Sequence, residues 1–274
     1  MIFRDTGRAS STGCDTALVS SRVGAQPLLL AIESATSAAS VALLRGETEV
    51  ASRAVATDRP ASELLLPTIL ALLEGARIAI ADIEAFAVSV GPGSFTGLRV
   101  GVATAKGLAF GGDLLVVPVP TLAALALRAE PAPGPVVALL DARRGEVYAA
   151  GYDGDLADAP RFGPAVLRPE ALVDAMAALD AQARCTVIGE GLPVVAELLL
   201  ARFGDALRLL PPPAGRPDAV AVGRLGARGL VRAAGIPAEA LAPLYVRRAE
   251  AEVRRTGERF EAPSKRFDTP GNLS

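Results

Sequence analysis

Short apolar runs alternate with amphipathic stretches along this chain, and the alternation predicts an α/β protein. LLLAI at 28–32 reads as a buried strand closing on Glu33, followed by the small polar turn Ser34-Ala35-Thr36-Ser37. Residues 40–44 and 48–54 flank Arg45-Gly46-Glu47 and read as a hairpin. Residues 61–77 carry apolar side chains at Leu65, Ile69, Leu72, Leu73 and Ala76, at helical spacing. Leu66 and Leu70 widen that stripe beyond what one core face needs. Pro67 falls inside it and predicts a kink or a late helix start. Strands are expected over 84–90 and 114–119, with helices ending near 110 and over 122–128, the latter capped by Thr121.

AEPAPGP at 129–135 is the clearest linker, and after it the pattern restarts. Residues 136–141 form a buried strand ending in Asp141, Arg143-Arg144-Gly145 a turn, and residues 146–152 a return strand. The order of strand, acidic residue, polar turn and strand is that of residues 28–44, which suggests two related halves. Helices near 169–181, 192–202 and 218–234 then alternate with strands near 185–189 and 206–210. The expected organisation is a flexible extension over 1–26, one subdomain over 27–130, a second over 131–253 and a flexible tail over 254–274. The helix at 218–234 is expected to pack back on the first subdomain.

Composition narrows the chemistry. The chain contains no histidine, so Ser-His-Asp and Cys-His catalysis and imidazole-held metals are excluded from it. Its net charge of −2 gives it no field with which to grip nucleic acid alone. Two cysteines far apart, Cys14 and Cys185, make no disulfide framework and point to a reducing compartment. No apolar run is long enough to span a bilayer, and the first 26 residues lack the apolar core of a signal peptide.

SVGPGSFTGLRVGVATAKGLAF at 89–110 looks like a phosphate-binding loop opening a helix. It fails the Walker template, because Gly97 is followed by Leu98 and Arg99. It also fails the dinucleotide template, because Thr96 stands where the third glycine belongs. Two readings remain: a helix start whose Ser94 and Thr96 hydroxyls and free N–H groups favour an anion, or a turn in which Gly91 and Gly93 serve backbone geometry and Ser94 or Thr96 caps the helix. Gly97, Gly101, Ala105 and Ala109 recur every four residues and make a smooth face suited to close approach by another helix, of this chain or of a partner.

Five stretches carry a resemblance. LLLAIESATSAASVALL, RPASELLLPTI, SVGPGSFTGLRVGVATAKGLAF, LLDARRGEVYAAGY and APLYVRR, in this order, resemble the TsaB (YeaZ) family over residues 28–248. The resemblance implies an actin/hexokinase/Hsp70-like (ASKHA) duplicated two-subdomain α/β fold, with mixed sheets flanked by helices. It implies a non-catalytic cytoplasmic subunit of the complex that makes N6-threonylcarbamoyladenosine (t6A) beside the anticodon of ANN-decoding tRNAs. The expected partners are a TsaD-like paralogue and a TsaE-like ATPase, with tRNA reached only through the complex and the chain alone either a homodimer or a monomer. ATP and a metal belong to the complex, the metal being held by TsaD histidines, and this chain is expected to bind no cofactor itself. The helices at 61–77 and 96–110 carry over as the partner surface, with Leu65, Ile69, Leu72, Leu98, Gly101, Val102 and Ala105 as its expected residues. Glu33, Ser34, Gly93, Ser94 and Thr96 mark a vestigial nucleotide or anion site. Two departures weaken that site: the family often has aspartate at position 33 and histidine at position 61, where this chain has Glu33 and Ala61. Glu33 at a strand end reads more simply as a solvated carboxylate, and Arg143, Arg144 and Glu146 as solvated hairpin charges. The alternative function is a small-molecule kinase or ATPase of the same fold, using Glu33 and Asp141.

Overall fold

The structure, a computed structural model, describes residues 26–247 except 57, 111, 113, 154–155, 157–158 and 180–183. The tail expected over 254–274 and all but residue 26 of the expected extension lie outside the described residues. Strands β1 (Leu28–Glu33), β2 (Ser40–Arg45) and β3 (Thr48–Ala54) form an antiparallel meander. Helix α1 (Ala61–Ala76) leads to β4 (Ala85–Gly91), which joins β1 in parallel. Helix α2 (Phe95–Ala109) leads to β5 (Leu115–Pro120), parallel to β4, and α3 (Thr121–Leu127) follows.

The second half repeats this plan. Strands β6 (Val136–Asp141), β7 (Val147–Tyr152) and β8 (Phe162–Leu167) form the meander. Helix α4 (Pro169–Ala177), β9 (Cys185–Ile188), α5 (Leu192–Phe203), β10 (Leu207–Leu210) and α6 (Ala219–Val231) complete it. The sheets run β11-β5-β4-β1-β2-β3 and β10-β9-β6-β7-β8, with β11 (Ile236–Pro237) an added edge. Apart from that edge the two orders coincide, so the duplication expected from the restart is present strand for strand. Sequence pattern missed β8, whose Gly163-Pro164 breaks the apolar run, and β11, which is only two residues long.

The apolar runs are continuous because both sheet faces are covered. In β1, Leu28, Leu30 and Ile32 meet α1 and α2, while Ala31 belongs to a second core on the other face. That second core joins the halves: α3 packs on β6 and β7 as well as on its own sheet, and α6 packs on β1, β2, β4 and β5. All seven residues of α3 are buried, as a helix apolar on every side beyond its first residue, Thr121, requires. Helix α6 lies close because its glycines leave room. A Cβ at Gly226 would sit 2.3 Å from the Ala87 Cβ.

Two local expectations need correction. Helix α1 starts at Ala61 and continues through Pro67, so the start is not delayed. Pro67 and Glu63 both lie on the exposed side, where water replaces the missing hydrogen bond. Thr121 does not cap α3; Pro120 holds the cap position, and the buried Thr121 hydroxyl accepts the Gly91 N–H at 3.1 Å.

Candidate functional site

The glycine-rich loop and the turn after β1 close on each other. The Ser94 N–H donates to the Ala35 carbonyl at 2.7 Å, and the Ser34 hydroxyl donates to the Gly97 carbonyl at 2.9 Å. A Cβ at Gly97 would sit 2.0 Å from the Ser34 carbonyl oxygen, one at Gly93 2.3 Å from the Ala35 oxygen, and one at Gly101 2.2 Å from the Ser34 hydroxyl. The Gly97 and Gly101 part of the smooth face of α2 therefore receives the β1–β2 turn of the same chain, a turn where a helix was expected. Ala105 and Ala109 lie in the core shared with α1, which packs on α2. Ser94 is the helix cap, as expected: its hydroxyl accepts the Gly97 N–H at 3.2 Å.

Glu33 is not a solvated carboxylate. It is fully buried at the end of β1, where Oε1 accepts the Ala35 N–H at 2.7 Å. Oε2 has no hydrogen-bond partner among the described residues. Burial pushes its pKa from near 4.5 up to about 7; Ser89 and the Ala35 and Thr36 N–H groups oppose that rise, and the charge of Glu190 adds to it. Glu190 follows β9 and is itself paired with Arg216 at 2.9 Å. Asp141, the other carboxylate of the kinase or ATPase alternative, accepts the Arg143 N–H at 2.7 Å and stays with its own turn.

A cavity of about 580 Å³ opens beside this junction. Its walls include Ser34, Thr36, Ser94 and Thr96 with two cations, Arg59 and Arg216. Three of the expected anion-site residues thus come together, while Glu33 and Gly93 do not contribute to the walls. Arg59, Arg216 and Glu190 escaped sequence reasoning. Arg216 and Glu190 come from the second half, and no local pattern brings them to the first.

The expected partner-surface residues are placed inside the chain. Leu65, Ile69, Leu72, Leu98, Val102 and Ala105 are all buried in the single chain, and Gly101 is covered by Ser34. Side chains already covered by their own fold present nothing to a second protein, so a partner face on these helices has to be drawn from other residues. On α1 those are Leu66 and Leu70, 44% and 54% exposed and one turn apart. At the start of α2 they are polar: the Arg99 guanidinium lies 3.9 Å from the Phe95 ring centroid and donates to the Tyr245 hydroxyl at 2.9 Å.

Comparison with known proteins places this architecture. The pattern of the TsaD family, tRNA N6-adenosine threonylcarbamoyltransferase, matches residues 55–254. A solved Pseudomonas aeruginosa protein described by its similarity to peptidase YeaZ is 32% identical, with a TM-score of 0.70, over 81% of this chain and 100% of its own. The chain belongs to the TsaB (YeaZ) family. Its fold is the duplicated ASKHA-type α/β fold of that family, related to TsaD. The P. aeruginosa YeaZ structure agrees, at 31% identity and a TM-score of 0.68, over 80% of this chain and 99% of its own. Among curated relatives, the tRNA threonylcarbamoyladenosine biosynthesis protein TsaB of Haemophilus influenzae is 45% identical over 125 residues, 44% of this chain and 51% of that protein. The Escherichia coli TsaB is 41% identical over 129 residues, 46% of this chain and 55% of that protein. The chain thus spans about half the length of the curated relatives it matches. Among the described residues no helix is long and apolar enough to cross a membrane.

Proposed function

We propose that this chain is a non-catalytic subunit of the t6A-synthesis complex, working in the cytoplasm by pairing with a TsaD-type paralogue. The curated TsaB relatives, named for tRNA threonylcarbamoyladenosine biosynthesis, support the pathway. The absence of histidine from this chain supports the division of labour, since imidazole-held metal chemistry has to reside on another subunit. The observation that carries the pairing is the exposed Leu66–Leu70 ridge on α1, an apolar stripe left over after the chain's own core is filled. A TsaE-type ATPase completes the assembly and supplies ATP turnover, and tRNA binds the assembly rather than this chain alone. Without its paralogue the chain uses the same ridge to form a homodimer.

Mixed with the TsaD-type protein of its own genome, the chain should elute as a heterodimer and be required for tRNA adenosine modification in vitro. Leu70→Asp should weaken that heterodimer at least tenfold, because a buried interface would trap an unpaired charge. It should leave the melting temperature of the free chain nearly unchanged, because position 70 is half exposed there. Titration of the labelled chain with its partner measures the first effect, and thermal melting the second. An unchanged affinity would remove the ridge from the interface.

One observation favours a second reading, a small-molecule kinase or ATPase: the cavity bearing Arg59, Arg216 and several hydroxyls suits an anion. That chemistry also needs an accessible carboxylate, and Glu33 is wholly buried. ATP binding by the isolated chain, abolished in Arg216→Ala, would favour this reading over a subunit without its own activity.

A further inference from the structure

The turn between β6 and β7 has unusual backbone geometry. Arg143, Arg144 and Gly145 lie in succession at φ of 64°, 58° and 73°. Left-handed geometry costs little at glycine but is unfavourable for a side chain with a Cβ, and consecutive residues seldom adopt it. Asparagine or glycine would make this turn with less strain, so the backbone alone does not call for two arginines. The Arg143 guanidinium also pairs with Asp141 Oδ2 at 3.2 Å, an exposed surface pair worth little and readily exchanged for another anion.

The surrounding structure holds the strain in place. Asp141 Oδ1 accepts the Arg143 N–H at 2.7 Å, the Ala142 N–H donates to the Glu146 carbonyl at 3.0 Å, and the Glu146 N–H donates to the Arg143 carbonyl at 3.1 Å. Arg247, at the end of the segment that crosses back from the first half, donates to the Ala142 carbonyl at 2.7 Å and pairs with the Glu146 carboxylate. Both nearby carboxylates are engaged at the turn, and each also meets an exposed guanidinium, Asp141 that of Arg143 and Glu146 that of Arg168. The arginine side chains remain outermost: that of Arg143 is 85% exposed, that of the neighbouring Arg168 is 78% exposed, and Arg144 is exposed too.

We propose that this turn is a phosphate-contacting tip, with Arg143 and Arg144 presented to the RNA backbone of the complex's tRNA substrate. The proposal rests on the t6A reading above. A guanidinium on a rigid mount loses little freedom on binding and meets phosphate oxygens with two donors at once. Such contacts position an RNA without reading its sequence, which suits a subunit that does no chemistry. They also explain how a chain of net charge −2 contributes to RNA binding: locally, through a few fixed cations, and only when a partner supplies the rest of the surface.

The test uses the complex of the full-length chain with its TsaD-type partner and an unmodified tRNA transcript. The double variant Arg143→Asn, Arg144→Asn removes both charges with a residue that accepts left-handed geometry, so the turn is kept; an unchanged melting temperature verifies it. Binding should weaken about tenfold at 100 mM salt, and the slope of log affinity against log salt should fall in magnitude by about 1–2, one step per lost phosphate contact. Equal affinity and equal salt slope for variant and wild type would overturn the proposal. So would loss of the protein partner with tRNA affinity retained, which would make the tip a protein contact. A wild-type complex that neither forms nor modifies tRNA would instead bring down the functional reading beneath it.

Discussion

Gly97→Ala will destabilise this chain by about 1–3 kcal/mol, while Gly107→Ala, ten residues on in the same helix, will stabilise it by about 0.5–1 kcal/mol. Both substitutions add one methyl group and raise helix propensity equally, so any difference between them comes from surroundings. At Gly97 the new Cβ would lie 2.0 Å from the Ser34 carbonyl oxygen, a backbone atom that moves only if the β1–β2 turn moves. The displacement would also disturb the 2.9 Å bond from the Ser34 hydroxyl to the Gly97 carbonyl and the 2.7 Å bond from Ser94 to Ala35. At Gly107 nothing lies within 4 Å. Urea midpoints at constant m-value measure both effects. Two shifts of the same sign would mean that the glycine loop does not grip the turn.

Glu33→Gln will flatten the pH dependence of stability between pH 5 and 7 and raise stability at pH 8 by about 1–3 kcal/mol. The sign follows from burial. An acid whose pKa is near 4.5 unfolded and about 7 folded holds its proton more tightly in the native state. Its protonated form therefore favours folding at low pH. That contribution declines as pH rises from about 4.5 and is gone above about 7, where folding has to bury a charge. Glutamine keeps an oxygen for the Ala35 N–H and never ionises. Urea titrations of both proteins from pH 4.5 to 8.5 separate the outcomes: a wild type as flat as the variant would show that Glu33 does not titrate in this window.

The element pattern is legible along the chain because each half buries its central strands, such as β1, β4 and β6, on both faces, and such strands advertise themselves as unbroken apolar runs. The over-wide stripe at 61–77 was equally local, and its surplus residues, Leu66 and Leu70, are the ones left in solvent. Glu33 was misjudged because a carboxylate at a strand end looks the same whether or not anything covers it. What covers it includes Ser89 and the turn that follows it, with Glu190 of the second half close enough to be felt. The small-residue face of α2 was recognised as a packing surface, but spacing cannot say what packs there.

The sequence by itself determined the α/β alternation, the restart after residue 135, the family motifs and the exclusion of histidine chemistry. These depend on periodicity and residue type, which neighbours in the chain express directly. Only the tertiary structure decided that Ser34 fills the glycine face, that Glu33 is buried with one oxygen unpartnered, that Arg59 and Arg216 share a cavity, and that Arg247 braces a strained turn. Each of these joins segments far apart in the chain. Their meeting depends on how the two sheets close around α3 and α6, and no local pattern encodes that closure.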